Sequence, residues 1–203
     1  MAVIAKHCPD IKVIVLDINP EKIDSWNSEN LDLLPVYEPG LSEIIANSRN
    51  KNLFFSTSIE SSLSIADIVF ISVNTPTKTK GYGAGYASDL KWVDASARQV
   101  SKFAKGHTIV VEKSTVPVRT AELIKEILYL SNDNISNEKT FSVLSSPEFL
   151  AEGSAIKDLE NPDRVLIGGE DPEAINELSR IYQRWIPEEK ILHTNLWSSE
   201  LSK

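Results

Sequence analysis

One cysteine in 203 residues, Cys8, has no partner with which to close an internal disulfide, as in a cytosolic protein. That cysteine and the three histidines, His7, His107 and His193, show none of the spacings that hold a metal, so no metal site is expected. No apolar run approaches the roughly 20 residues of a membrane-spanning helix. The opening MAVIAKHCPD carries one lysine and a very short apolar stretch, a poor match to a secretory leader. Basic residues are outnumbered, 21 Lys and Arg against 29 Asp and Glu, and no basic cluster offsets the formal charge of −8. That balance argues against nucleic acid as the main partner, and an anionic substrate would have to be held by a few local cations. Internal repeats and low-complexity tracts are absent.

What is present alternates. KVIVLD (12–17), LFFST (53–57), DIVFISV (67–73), HTIVVEKS (107–114), FSVLSS (141–146) and RVLIGG (164–169) are short, β-branched and almost continuously apolar. Such runs belong to strands buried on both faces of a parallel sheet. Helical patterns lie between them. Asn19 and Pro20 supply an N-cap and a first-turn proline for a helix over 20–27. Further helices are expected over 39–48, 58–66, 88–104, 117–130 and 172–186, the one over 88–104 carrying a stripe of Leu90, Val93, Ala97, Val100 and Ala104. Residues 130–139, LSNDNISNEK, read as a surface connection. NLWSSELSK ends the chain with a helix expected to begin near Ser198 and too short to be stable alone. Alternating β and α elements imply an α/β fold with a doubly wound sheet.

In such sheets ligands gather at the carboxyl ends of the strands. Asp17 ends the first run, where an acid can accept both hydroxyls of a ribose or cap the next helix with Asn19. Lys22 lies one turn on, either reaching a nucleotide or solvated. A dinucleotide fold would place a Gly-rich turn about 20 residues before that acid. Only sixteen residues precede Asp17, and none is glycine. GYGAGY (81–86) does not replace it: the spacing is wrong, and it follows a polar loop and not a strand, so a lid is the better reading. VNTPTK places Val73, Asn74, Thr75, Pro76 and Thr77 past a strand, either lining a cofactor or forming an ordinary proline turn. Ser114 and Thr115 precede a helix beginning through Pro117, suited to an anion, a polarised water or simple capping. In PEFLAEG, Glu148 and Glu152 share one face if helical, as a base and a water-positioner or as acids favouring a helix start. Arg164 reads as an ion-pair partner, and Lys203 by itself says nothing.

Taken together, LDIN, PVYEPGL, KNLFFST, ADIVFISVNTPTK, VEKSTVPVRTAE, SPEFLAEGSAIKDLENPDRVLIGG and TNLWSSELSK resemble the N-terminal NAD-binding domain of the UDP-glucose/GDP-mannose dehydrogenase family, and within it the UDP-glucose-oxidising branch. The resemblance implies a Rossmann-like doubly wound, mostly parallel sheet. It implies oxidation of a sugar C6 alcohol to a carboxylate by two hydride transfers to two NAD+, through a cysteine thioester. It makes Asp17 and Lys22 the adenosine-ribose contacts, with arginine usual at the latter position. Val73, Asn74, Thr75, Pro76 and Thr77 become the cofactor-lining strand end. Ser114 and Thr115 become the pair that contacts NAD and water, Glu148 the acid/base, and Lys203 the cation for developing oxyanion charge. Phe149, Leu150, Ala151 and Glu152 would touch substrate, with Glu152 also near the cofactor.

Three departures from the family pattern qualify these implications. The first strand and its Gly-rich turn would precede Met1, and the catalytic cysteine would follow Lys203. Ser146 stands where the family usually has Asn. The expected organisation is therefore an incomplete NAD-binding domain over 1–194, followed at 195–203 by the start of the helix leading to a substrate domain. The expected partners are UDP-glucose and, in the full-length family, further copies of the chain, with no nucleic acid and no membrane. The chain alone is expected to be inactive. The rival reading is a non-catalytic product that joins or modulates a full-length oligomer.

Overall fold

Asn19 opens the first well-defined helix as the sequence requires: its side chain accepts the Lys22 N–H and Pro20 occupies the first turn. The computed structural model describes residues 1–130 and 139–203, so the connection expected over 130–139 lies almost wholly outside the described residues. The elements in chain order are α1 (Ala2–His7), β1 (Val13–Leu16), α2 (Pro20–Asn27), α3 (Leu41–Ser48), β2 (Leu53–Ser56), α4 (Ile59–Leu63), β3 (Ile68–Ile71), α5 (Lys91–Phe103) and β4 (His107–Glu112). They continue with α6 (Thr120–Leu130), β5 (Thr140–Ser145), α7 (Ala155–Glu160), β6 (Val165–Gly168), α8 (Pro172–Tyr182), β7 (Ile191–Thr194) and α9 (Leu196–Leu201). The six expected strands are all present. β7 and α7 carried too few patterned residues to be read from the sequence.

The chain divides into two compact units. One comprises residues 1–59, 149–164 and 179–191, and the other 60–148, 165–178 and 192–203. In the first unit β1 and β2 pair in parallel, Val13 opposite Leu53 and Leu16 opposite Ser56. Val3, Ile4, Ala5 and Cys8 of the first helical segment are buried, as are Ile44 and Ile45 of α3. Asn52 ties them down by donating to the carbonyls of Ala5 and Cys8 at 2.8 and 3.1 Å. Trp26 stacks on Phe55 with ring centroids 4.9 Å apart.

The second unit carries a five-stranded sheet in the order β3-β4-β5-β6-β7. β3, β4 and β5 run parallel, with Ile68 opposite Ile109 and Ile109 opposite Ser142. β6 meets β5 at one antiparallel bridge, Ser145 with Gly168. Parallel pairing with intervening helices makes this the expected Rossmann-like α/β fold. α5 buries Val93, Ala97 and Val100, followed by Ala104 just past its end, four of the five residues on the expected stripe. Leu90 instead precedes the helix, which starts where Asp89 accepts the Lys91 N–H. Fully burying a side chain such as Val93 or Val100 contributes about 1.5–3 kcal/mol. Among the described residues no helix is long and apolar enough to cross a membrane.

Candidate active site

The carboxyl ends of β3 and β4 are locked by Ser114. Its buried hydroxyl accepts the Val73 N–H at 3.0 Å and lies 2.8 Å from the Val73 carbonyl, so both backbone groups of Val73 depend on one side chain. The Lys113 N–H donates to Ile71 and the Thr75 hydroxyl to the Thr115 carbonyl at 2.7 Å. The expected cofactor-lining residues 73–77 are therefore held against Ser114 and Thr115. Pro76 accepts the Asp89 N–H, and Thr77 bridges Ser88. Between these anchors the GYGAGY stretch forms a turned tip. Its three glycines all have φ between +74° and +86°, and a Cβ on Gly83 would lie 2.7 Å from that of Ala87. Here the glycines serve the turn.

At the ends of β4 and β5 the same unit concentrates carboxylates. Glu112 ends β4 only 1% exposed, opposite Ser145, whose hydroxyl donates to Glu112 Oε2 at 3.3 Å. Glu112 Oε1 is buried without a hydrogen-bond partner. Burial, then the charge of Glu200, raises the Glu112 carboxyl to about 8; Glu148 adds to this, while Ser145 and Lys113 oppose it. Burying an ionised carboxylate costs several kcal/mol, so Glu112 is held mostly as the neutral acid at pH 7. Three residues past β5, Glu148 pairs with Lys203 at 2.7 Å, the two side chains 26% and 22% exposed. Glu148 Oε2 is buried and unpartnered, as is the Ser146 hydroxyl.

α9 brings Lys203 there. It begins at Leu196 with Asn195 as its cap, two residues before the expected start. Six residues would not hold a helix in water, but the Ser199 hydroxyl donates to the Ser145 carbonyl at 3.0 Å and Glu200 is buried. Gly168 permits this approach, since a Cβ there would meet that of Ser199 at 2.4 Å.

In the other unit Asp17 directly follows β1. One of its oxygens accepts the Asn19 N–H at 3.0 Å and the other pairs with Lys22 at 2.7 Å. Asp17 thus acts as the turn acid beside Asn19, and its side chain is 26% exposed. Partial burial pulls its pKa up, but the bonds from Lys22 and Asn19 outweigh it and hold the carboxyl below its ordinary range.

The segment Phe149–Gly153 is not helical, so Glu148 and Glu152 do not share a helix face; they also fall in different units. Gly153 at φ +82° sets the turn that precedes α7. Phe149 lies under the Arg164 guanidinium, 4.6 Å from the ring centroid, so Arg164 serves a ring and not the expected carboxylate. Asp158 accepts the Ala151 N–H at 3.1 Å and the Ser154 hydroxyl at 2.8 Å. Glu152 is exposed.

Cys8 is fully buried, its thiol 4.0 Å from the Ile181 carbonyl, and burial raises its pKa despite Arg184. It has none of the thiolate character of a nucleophile. Among the described residues no group of three His, Cys, Asp or Glu could hold a metal ion. Glu112 and Glu200 do not stand out in the sequence as functional residues. A charge closing the apolar run TIVVE was the available signal for the first, whereas Glu200 is distinguished only by tertiary contacts.

Residues 1–186 match the UDP-glucose/GDP-mannose dehydrogenase family, NAD binding domain. The chain is 58% identical over 207 aligned positions to UDP-glucose 6-dehydrogenase 1 of Glycine max, covering 100% of this chain and 42% of the relative. It is 56% identical over 206 positions to UDP-glucose 6-dehydrogenase of Gallus gallus, covering 100% and 40%. The chain thus spans about two fifths of the length of these curated relatives. Among solved structures, a UDP-glucose dehydrogenase from Pyrobaculum islandicum superposes with a TM-score of 0.83 at 31% identity, over 98% of this chain and 44% of that one. A GDP-mannose dehydrogenase from Pseudomonas aeruginosa superposes with a TM-score of 0.84 at 25% identity, over 100% and 44%.

Proposed function

The chain belongs to the UDP-glucose/GDP-mannose dehydrogenase family, whose members are NAD-dependent nucleotide-sugar dehydrogenases, and on that premise we propose that it is the cofactor-binding part of an enzyme oxidising UDP-glucose to UDP-glucuronate with two NAD+. The observation that carries this reading is the Glu148–Lys203 pair at the strand ends. Oxidising an alcohol requires a group that takes its proton and a cation that supports negative charge on the oxygen. Glu148 offers a buried, unpartnered Oε2 for the first task, and the Lys203 ammonium performs the second.

Bound NAD+ supplies the hydride acceptor. The residues present fit it: each Asp17 oxygen accepts one hydrogen bond and keeps a further lone pair for a ribose hydroxyl, with Lys22 beside it. In this reading Val73, Asn74, Thr75, Pro76 and Thr77 line the cofactor together with Ser114, Thr115 and Glu152. Ser114 acts chiefly by fixing Val73, because its hydroxyl is already engaged there. Thr115 completes the catalytic group, and Phe149, Leu150, Ala151 and Glu152 contact the sugar nucleotide. Residues 1–194 form the NAD-binding part and 195–203 lead towards the part that completes the substrate site. The protein acts in the cytosol, in a homo-oligomer.

The 203-residue chain is inactive alone in this reading. It has no glycine before Gly40 to cradle a pyrophosphate, and its one cysteine is the buried Cys8. The test is a calorimetric titration of the chain with NAD+, paired with a spectrophotometric assay for NADH in the presence of UDP-glucose. Binding without turnover is the expected result. Sustained NADH production would overturn the inactivity, and absence of binding by the folded chain would show that the remaining strand ends do not hold the cofactor without that cradle. Altered turnover of a full-length relative on mixing would favour the modulator reading.

A further inference from the structure

The loop Phe149–Gly153 is tied to a residue more than a hundred positions earlier in the chain. The Gly153 N–H donates to Glu38 Oε1 at 3.0 Å and the Ala155 N–H to Glu38 Oε2 at 3.3 Å. One carboxylate therefore spans the turn between the loop and α7, using both oxygens. α7 has no side-chain cap bond of its own from Ser154, so Glu38 supplies what that helix start needs.

Glu38 is well placed to do this. Pro39 follows it, Gly40 turns the chain at φ +84°, and the Glu38 carbonyl accepts the Leu41 N–H at the start of α3. A Cβ on Gly40 would lie 3.8 Å from Ile156 Cγ2, so the start of α3 packs against α7 itself. The carboxylate thus projects from a backbone whose position is already fixed. Asp158 and Arg164 hold the other parts of the same loop, through Ala151 and Phe149. Glu38 is the member of this trio that comes from outside the PEFLAEG–NPDR block.

We infer that Glu38 is a positioning residue for sugar-nucleotide recognition, holding the Phe149–Gly153 loop in its binding shape without touching the ligand. The inference rests on the proposal that this loop contacts the sugar nucleotide. A carboxylate is required because each of its oxygens accepts one N–H. Glutamine keeps one acceptor oxygen and alanine keeps none, so the defect is graded.

The test uses the isotope-labelled 203-residue chain, with Glu38→Ala and Glu38→Gln as variants and circular dichroism to show that each is folded. Amide exchange at Gly153 and Ala155 reports the clamp, and titrations followed by NMR report binding of UDP-glucose and of NAD+. The expected result is loss of protection at both amides in Glu38→Ala, at least tenfold weaker UDP-glucose binding, an intermediate defect in Glu38→Gln, and a smaller loss of NAD+ binding, since only Glu152 of this loop is placed near the cofactor. If exchange rises in Glu38→Ala while UDP-glucose binds as in wild type, the inference is wrong and the proposed function stands. A wild-type chain whose loop amides ignore millimolar UDP-glucose would remove the proposed loop contact and the inference together. An Ala variant that does not fold shifts the decision to Glu38→Gln, where unchanged UDP-glucose affinity counts against the inference.

Discussion

Glu200 accepts the Arg119 N–H through Oε2 and the Ala121 N–H through Oε1, both at 2.7 Å. The last helix thereby caps the first turn of α6. Arg119 adopts φ +80°, a left-handed conformation that costs a non-glycine residue about 1 kcal/mol or more. Its guanidinium bonds Glu122, which also accepts the Trp197 indole N–H at 2.7 Å. Replacing Glu200 with Ala strands two backbone donors and is expected to cost about 2–3 kcal/mol. Glutamine keeps one acceptor and should cost about half as much. Urea unfolding measures both, and a loss under about 0.5 kcal/mol for the Ala variant would show the cap to be unimportant.

Glu112 gives stability an unusual dependence on pH. Its carboxyl lies near 4.5 in an ordinary setting and at about 8 here. Between those values the folded chain holds a proton that the unfolded chain has released, so stability falls as pH rises through that window. The contribution is complete below about pH 4.5 and lost above about 8. Glu112→Gln removes the titration and should unfold with a flatter profile, gaining on the order of a few kcal/mol relative to wild type at pH 8. Parallel wild-type and variant curves across pH 5–8 would contradict this.

Ser114→Ala leaves the N–H and carbonyl of Val73 without their shared hydroxyl. The expected cost is about 1–2 kcal/mol, with faster amide exchange at Val73 and little change at β5. Uniformly faster exchange across the sheet would mean that the residue stabilises the whole unit and not the strand end.

Gly168→Ala should be worse than its size suggests. The added carbon would sit 2.4 Å from Ser199 Cβ and 2.7 Å from the Asn195 carbonyl, and backbone cannot yield as a side-chain tip does. A cost of about 1–3 kcal/mol is expected, together with loss of the Glu148–Lys203 pair as α9 moves away. NMR of the Lys203 ammonium follows that pair directly, and an unperturbed signal would argue that β6 and α9 adjust without separating.

Much of the fold was legible because its strands are apolar throughout. KVIVLD, LFFST, DIVFISV, HTIVVEKS, FSVLSS and RVLIGG all became strands, since no polar alternation competed with burial on both faces. β7 escaped because two of its four residues, Leu192 and His193, are exposed, which blurs the signal. Asp17 and Lys22 drew notice separately, as a strand-end acid and a lysine one turn on, and the structure joins them in an ion pair. Glu148 and Lys203 are separated by 55 positions, and nothing in their spacing links them; the family resemblance alone put them in one site. The helix imagined over Glu148–Glu152 failed for a local reason. Its carboxylate spacing was right, but Gly153 and the Asp158 bond to Ala151 favour a turn that begins α7 later.

Each compact unit is woven from three separate stretches of chain, and each is completed only by residues beyond 178. A ribosome delivers residues in order, so neither unit can close its core before its third stretch has emerged, 179–191 for one and 192–203 for the other. β1 and β2 must wait for the segment 179–191, and the β3–β5 sheet for α9. Closure of each unit is therefore dominated by distant pairings, slow by the logic of loop closure and exposed meanwhile to aggregation. Cutting the sequence at a convenient point between the units would give neither half a complete interior.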